Sequence, residues 1–301
     1  MLDFRTHTFL MVCQTLNFTL AAKQLHISQP AVSQHIHYLE EVYDTKLFTY
    51  QNKQLSLTTS GEILYKHLLT LKNDEELIKN EIKSCQSKIQ SISIGVTMTI
   101  GEYAVVDQLA IFIKNHPNLN IHLHYGNTSE LLKLLNHGTI QLAIVEGNYP
   151  KEDYSHKKYR TEEFIALCAN SHQFNGGSPS YLHDLCSEHL LLREEGSGTR
   201  NILEQNLKAH NLSISHFQHY TQIENMHALI RLLKKDCGIS FMYKIAVEKD
   251  LIKGNLKEIQ LKDFKMQHDF DFIWEKNSIY SDVYLKICDE FIHEIQIPKK
   301  S

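Results

Sequence analysis

From Leu64 onward, apolar residues recur at Leu68, Leu71, Ile78, Ile82, Cys85 and Ile89, with Glu75 in the one remaining place. The steps alternate between four and three residues, which is the 3.5-residue period of a helix that buries one seam against a partner. A helix from Ser60 to Ile89 is about 45 Å long at 1.5 Å per residue, too long to cover its seam on a small domain. The seam therefore calls for a second copy of the chain. Packing along the chain's own C-terminal part is the alternative, and so sustained a 3.5-residue period argues against it. Glu75 is compatible with a polar contact that sets register and with a splayed end. Thr59, followed three residues later by Glu62, fits a capping box at the helix start. The 301 residues thus divide into a short block (1–58), a linker helix (59–90) and a long block (91–301).

Composition narrows the class. With 42% hydrophobic residues, 22% charged, 12 Gly and 5 Pro, the chain is neither disordered nor fibrous and is long enough for two or three cores. No apolar run approaches the roughly 18–20 residues of a membrane span, and the N-terminus lacks the order of a signal peptide. These features predict a soluble, cytoplasmic protein without a membrane partner. Six scattered Cys show no CxxC spacing, which fits a reducing compartment and buried small side chains. Nineteen His include no HExxH, so no metal ligand set is assigned. A net charge of -4 offers no bulk sign of a polyanion partner.

In the first block, Phe9, Leu10, Val12, Cys13 and Leu16 mark a helix with one apolar face. Thr19 is placed to cap a second helix carrying Ala21, Ala22 and Leu25. The break His26-Ile27-Ser28 leads into a third helix with Ser28 as cap and Pro30 in its first turn, where backbone N–H groups have no partner in any case. Two short helices, a tight turn and another helix spell a helix-turn-helix. Val32, Ile36, Leu39 and Val42 or Tyr43 take the inner face of the third helix, so Gln29, Ser33, Gln34 and His37 point outward. Short hydroxyl and amide side chains there suit base edges in a major groove, although helical period alone equally describes a solvated face. The stretch TYQNKQLSLT reads as a β-wing whose Tyr50, Asn52 and Lys53 are placed to reach phosphate or the minor groove.

The long block alternates short β-branched runs (ISIGV, NIHLHY, QLAIV, FIALC, HLLL, GISFM, DFIW) with helical patterns such as Val105 to Asn115 and Met226 to Lys235. That alternation predicts an α/β domain with a largely parallel sheet. Three strand ends run into hydroxyl-rich helix starts: Thr97-Met98-Thr99-Ile100-Gly101, Asn127-Thr128-Ser129, and Glu195 with Ser197-Gly198-Thr199-Arg200. Ligands bind beyond the carboxyl ends of strands in such sheets, and free N–H groups at helix starts favour an anion. Arg200 adds a charge-assisted contact. Any one such start is ordinarily a cap; three together suggest a site. Met98, Tyr103 and Tyr243 either shape the cleft or fill lobe cores, and an apolar chain such as Met98 suits a core.

FTLAAKQLHISQPAVSQHIHYLEEVYDTKLF followed by LTTSGE closely resembles the winged helix-turn-helix signature of LysR-type transcriptional regulators over the first 60 residues. The resemblance implies an N-terminal all-α winged helix-turn-helix, a long linker helix and a C-terminal α/β two-lobe effector domain of periplasmic-binding-protein (type 2) form. One lobe then spans about 91–162 and 269–301, the other about 163–268. It also implies DNA contacts from Thr19, Gln29, Pro30, Ser33, Gln34 and Lys53, and homodimers through the linker helix that assemble into homotetramers. Tyr50 stands where the family usually has Arg, removing one phosphate contact, and Tyr243 stands where many relatives have Pro. EEGSGTR resembles the stretch found in the sulfur-assimilation and carbon-fixation branch.

The resulting expectation is a non-enzymatic regulator of double-stranded promoter DNA that answers to a small anionic metabolite and needs no cofactor. GxSxG, P-loop and HExxH spacings do not occur. A thiol sensor using Cys168, Cys186 or Cys237 is the alternative, although nothing near them favours a low thiol pKa. Residues 1–58 hold four cations (Arg5, Lys23, Lys46, Lys53) and four anions (Asp3, Glu40, Glu41, Asp44), whereas residues 91–301 hold 22 and 26. A neutral DNA module neutralises few phosphates, so useful affinity requires several modules on one DNA.

Overall fold

The computed structural model describes residues 2–51, 54–87, 90–174 and 177–296. The chain forms two compact units: residues 1–90 with the loops 136–139 and 276–280, and the remainder.

In the first unit, α1 (Phe4–Thr15) is capped by Asp3, whose carboxylate accepts from the Arg5 N–H at 3.0 Å. Helix α2 (Phe18–Leu25) is capped by Asn17, which accepts from the Leu20 N–H at 2.9 Å. Thr19 is therefore not the cap but lies within the first turn. Helix α3 (Gln29–Val42) starts from Ser28, with Pro30 in its first turn as expected. Leu16 and His26 both adopt left-handed backbone (φ 45° and 55°), closing the turns that follow α1 and α2. Strands β1 (Phe48–Gln51) and β2 (Gln54–Leu57) pair antiparallel as the wing. Phe9, Val12, Ala21, Val32, Ile36 and Leu47 form the core. Leu16, Val42 and Tyr43 are exposed, contrary to the sequence expectation: Leu16 and Tyr43 are the cap residues that follow α1 and α3, off the helical period, and Val42 is the last residue of α3.

Helix α4 (Thr59–Ser87) follows the wing directly. Its cap is Thr58 rather than Thr59: the Thr58 hydroxyl accepts from the Gly61 N–H at 3.0 Å and donates to the Lys46 carbonyl at 2.6 Å. With the cap one residue earlier, Glu62 falls outside a capping box. The predicted seam divides. Leu68, with its neighbour Leu69, is buried in the winged core, while Leu71, Ile78 and Ile82 are 53%, 41% and 60% exposed. Glu75 accepts from the Leu2 N–H at 3.2 Å, so its partner lies in its own chain. Asp74 accepts from the Ser278 hydroxyl at 2.6 Å and the Ile279 N–H at 3.2 Å, attaching the 276–280 loop to this helix. Ile89 lies outside the described residues, as does any account of the Cys85 side chain.

The second unit is built in chain order from β3 (Gln90–Val96), α5 (Val106–Asn115), β4 (Leu119–Tyr125), α6 (Thr128–Asn136), β5 (Leu142–Val145) and β6 (Tyr154–Ala169). It continues through β7 (His189–Leu192), α7 (Gly198–Ala209), β8 (His219–Gln222), α8 (Met226–Lys234) and β9 (Ile239–Tyr243). The last elements are α9 (Glu248–Ile252), β10 (Leu256–Glu258), β11 (Met266–Glu275) and α10 (Ser281–Gln296). The strands lie in the order β4-β3-β5-β11-β6-β9-β7-β8, with β10 on β6. The pairs β3–β5, β7–β8 and β7–β9 are parallel, whereas β11 runs antiparallel to β5 and β6, and β6 antiparallel to β9. The sheet is therefore mixed, not largely parallel. The chain crosses from one half to the other on β6 and returns on β11, and only opposed strands can do both side by side. Those strands contain the expected lobe junctions at 162/163 and 268/269. One core gathers Leu131, Leu135, Val145 and Ile273; another gathers Leu167, Met226, Leu229, Leu233 and Met242.

Gly61 sits where α4 meets the chain leading into β1: a Cβ there would lie 2.1 Å from the Leu47 carbonyl oxygen. Gly61→Ala is expected to destabilise the first unit by roughly 1–3 kcal/mol, since backbone must move to admit the methyl. Calorimetry of the full chain should show its transition lowered and that of the second unit unmoved; an unchanged first transition contradicts this packing.

Candidate DNA-binding face and effector site

On α3, Gln29, Pro30, Gln34 and His37 are exposed and Ser33 half-buried, so the expected row does occupy one outward face. It is partly organised within itself. Gln29 Nε2 donates to Ser33 Oγ at 3.0 Å, and His37 Nε2 lies 3.3 Å from Glu41. Thr19 is exposed in the first turn of α2. Asn52 and Lys53 lie outside the described residues. Two of the module's cations already have acidic partners: Arg5 pairs with Asp3 at 2.8 Å and lies over the Tyr38 ring at 3.9 Å, and Lys46 pairs with Glu40 at 2.6 Å. Pairing lowers the charge available to phosphate, in keeping with the neutral sum.

In the second unit the three expected helix starts do follow strand ends. Thr97 follows β3, the 97–101 stretch turns through a π-helical segment (Ile100–Ala104) into α5, Thr128 opens α6, and Ser197 precedes α7. Thr128, Ser129, Glu195, Ser197, Gly198 and Arg200 line a cleft of about 320 Å³ together with Asn148 and Glu204. Met98, Asn127 and Glu195 line a second of about 620 Å³, with Tyr125, Arg193 and Gln222. Met98 is thus half-exposed at the cleft and not in a core. Thr97, Thr99, Ile100, Gly101 and Thr199 are buried behind these surfaces.

The residue that organises this region was not singled out by the sequence. Glu146, at the carboxyl end of β5, is buried, and its carboxylate accepts from the Thr97 hydroxyl. Its backbone carbonyl accepts from the Thr128 hydroxyl at 2.8 Å. Gly147 follows with φ +88°, and the approach to α7 is so close that a Cβ on Gly147 would lie 2.8 Å from the Gly198 Cα. A Cβ on Gly198 would in turn lie 2.4 Å from the Glu146 carbonyl oxygen. The ends of β3 and β5 and the starts of α6 and α7 are thereby gathered around one carboxyl. Burial pushes its pKa up to about 7, opposed by the Thr97 hydrogen bond and the Arg193 charge. Among the described residues the buried hydroxyls of Thr199 and Tyr243 have no hydrogen-bond partner, while that of Thr99 is directed at Glu146. Burial also raises the Tyr243 phenol well above its usual range, so it stays protonated.

Both cations of the clefts are engaged. Arg193 binds Glu194 through two hydrogen bonds (2.8 and 3.0 Å), and Arg200 reaches Glu204 at 2.7 Å and Gln222 at 2.9 Å. Burial raises the Cys168 thiol to about 11 and lifts that of Cys186, which disfavours both as thiolate sensors. Tyr103 is half-buried and its hydroxyl lies 3.3 Å from His227, away from Glu146.

A winged helix-turn-helix joined to a mixed-sheet domain with hydroxyl-lined clefts defines a ligand-responsive DNA-binding regulator. Residues 5–62 match the bacterial regulatory helix-turn-helix protein, lysR family, and residues 86–284 match the LysR substrate binding domain. The chain belongs to the LysR family of transcriptional regulators. It is 28% identical to the HTH-type transcriptional regulator CysL of Bacillus subtilis, over 88% of each chain. It is 26% identical to a probable RuBisCO transcriptional regulator of Trieres chinensis, over 93% of this chain and 91% of that one. Among solved structures, the Synechocystis PCC6803 CcmR regulatory domain in complex with 2-PG shares its fold. That domain matches with a TM-score of 0.58 at 17% identity, over 67% of this chain and 97% of that one.

Because the folded-state pKa of Glu146 exceeds the ordinary carboxyl value, the folded chain keeps a proton that the unfolded chain releases. The stability this contributes is complete below about pH 4.5 and is lost as pH rises through 7. Glu146→Gln should therefore stabilise the second unit at pH 8 by roughly 2–3 kcal/mol while leaving pH 5 little changed. Melting curves at the two pH values check this; equal shifts at both would contradict it.

Proposed function

We propose that this LysR-type regulator binds promoter DNA through the outer face of α3 and the wing, and that a small anion in the clefts beside Glu146 alters that binding. The observation that carries the ligand reading is the pair of clefts at the starts of α6 and α7, whose lining includes Asn127, Thr128, Ser129 and Ser197. Hydroxyl and backbone N–H donors at helix starts suit oxyanions. CysL and the RuBisCO regulator, by their names, point toward sulfur or carbon metabolism. The residues we assign to the site are Thr97 to Gly101, Asn127 to Ser129, Glu195 and Ser197 to Arg200. Within it, Arg200 acts through the Glu204 and Gln222 contacts described above.

The working unit is a homodimer that assembles further into a tetramer. Leu71, Ile78 and Ile82 on α4 supply an exposed apolar stripe for the partner helix, and a neutral DNA module gains affinity from repetition. Residues 1–58 act as the DNA-binding domain, 59–90 as the dimer helix and 91–301 as the effector domain. A ligand that favours one arrangement of the lobes shifts the spacing or bend that the paired modules impose on DNA. The setting is the cytoplasm, without turnover of the ligand.

Two experiments test this reading. A thermal-shift screen of sulfite, sulfate, thiosulfate, acetylserine and dicarboxylates should give a specific rise in melting temperature, which Thr99→Val abolishes. No rise with any of them removes the anion. Gln34→Ala should weaken binding to DNA from upstream of the chain's own coding region by roughly 10-fold or more, with non-specific binding unchanged. No loss on either DNA would make Gln34 a mere solvated side chain, and equal loss on both would make it a phosphate contact; either outcome overturns base reading by Gln34.

A further inference from the structure

The middle of the linker helix is tied to two loops from far along the chain. Asn73 and Asp74, adjacent residues of α4, are both buried. One carboxylate oxygen of Asp74 accepts from the Ser278 hydroxyl at 2.6 Å and the other from the Ile279 N–H at 3.2 Å. The Ser278 oxygen accepts in turn from the Tyr280 N–H at 3.2 Å. Asn73 meets the other loop: Gly138 has φ +70°, and a Cβ on it would run into Asn73 Oδ1. Both loops group with the first unit rather than the second.

The elements that feed these loops share one core. Loop 136–139 leaves the end of α6, and loop 276–280 leaves the end of β11. Leu131 and Leu135 of α6, Val145 of β5 and Ile273 of β11 are fully buried in one cluster, so both loops are anchored in the same close-packed body. That body reaches the cleft, since Thr128 opens α6 and lines it. A single attachment would leave α4 free to pivot. Consecutive residues lie about 100° apart around a helix, so the two loops grip α4 from different sides and fix its direction as well as its position. The next residue, Glu75, accepts from the Leu2 N–H just ahead of α1. Three consecutive polar residues thus join two loops of the effector half to the start of the winged module.

We propose that Asn73 and Asp74 form a latch through which the state of the cleft reaches the DNA module: α6 and the two loops carry the change into α4, which passes it to the wing it follows and, through Glu75, to the start of α1. This rests on the reading of the chain as a ligand-responsive DNA-binding regulator given above. Coupling between two sites is reciprocal, so DNA held by α3 must act on α6 with the same free energy with which the cleft acts on DNA binding. The latch is therefore testable with DNA alone, before any effector is known.

The test is amide hydrogen exchange of the full chain with and without duplex DNA from upstream of its own coding region. DNA should slow exchange in α3 directly, and in residues 128–139 by roughly fivefold or more through the latch. Two variants break the latch from opposite sides: Ser278→Ala removes the hydroxyl donor, and the isosteric Asp74→Asn leaves one acceptor oxygen for two donors. Both should keep the effect on α3 and cut that on 128–139 to less than about twofold. Unchanged exchange at 128–139 in the wild type, or slowing there that survives in either variant, overturns the latch. So does loss of the α3 effect in both variants, since the contact would then hold the fold and carry no signal. If DNA slows exchange nowhere in the wild type, the DNA-binding reading itself falls, and the latch with it.

Discussion

The second unit depends on the antiparallel pairing of β6 with β11, registered from Met266 against Phe164 to Glu275 against Tyr154. These two strands join a group headed by β3 and β5 to one headed by β9 and β7, so that one sheet has two sets of parallel strands. Because both sets face the crossing, the end of β5 can meet the start of α7, and Gly147 and Gly198 let the backbones touch. The buried Glu146 is a product of that meeting. Without the crossing strands, its neighbours from α7 and β9 would belong to a separate domain.

Electrostatics run in one direction through the molecule. The DNA module has no net charge, Arg5 and Lys46 are paired within it, and the effector clefts hold more carboxylates than cations. On the reading proposed above, affinity for DNA comes from repeated modules, and affinity for a small anion from hydroxyls and helix starts. On the same reading the exposed stripe of Leu71, Ile78 and Ile82 supplies the repetition, while Leu68 of the same helix packs into the winged core.

Much of this was legible in the residues. The third helix, its Ser28 cap and the wing follow from local rules, and most strands of the second unit from short apolar runs. Caps were displaced where several cap-forming residues adjoin, as in Asn17-Phe18-Thr19 and Thr58-Thr59-Ser60, because spacing alone does not choose among them. The first half of β6 was hidden by its charges, YSHKKYRTEE, in which Tyr154 and Tyr159 are the buried residues and so leave no two-residue apolar period. Strand β8 has four exposed residues and so no apolar period at all. The seam was read as one surface, though tertiary packing divides it. Glu146 was missed because an acid before a glycine resembles a loop; its signal was its place directly after a wholly apolar strand.

A footprint on the DNA upstream of the chain's own coding region, with and without an anion that raises the melting temperature, tests the central claim most directly. Two protected half-sites in register with the duplex turn, whose spacing or bend-sensitive cleavage changes when the anion is added, are the predicted result. Absence of any protected site in either condition, or protection that no bound anion alters, would contradict a DNA-binding regulator controlled through these clefts.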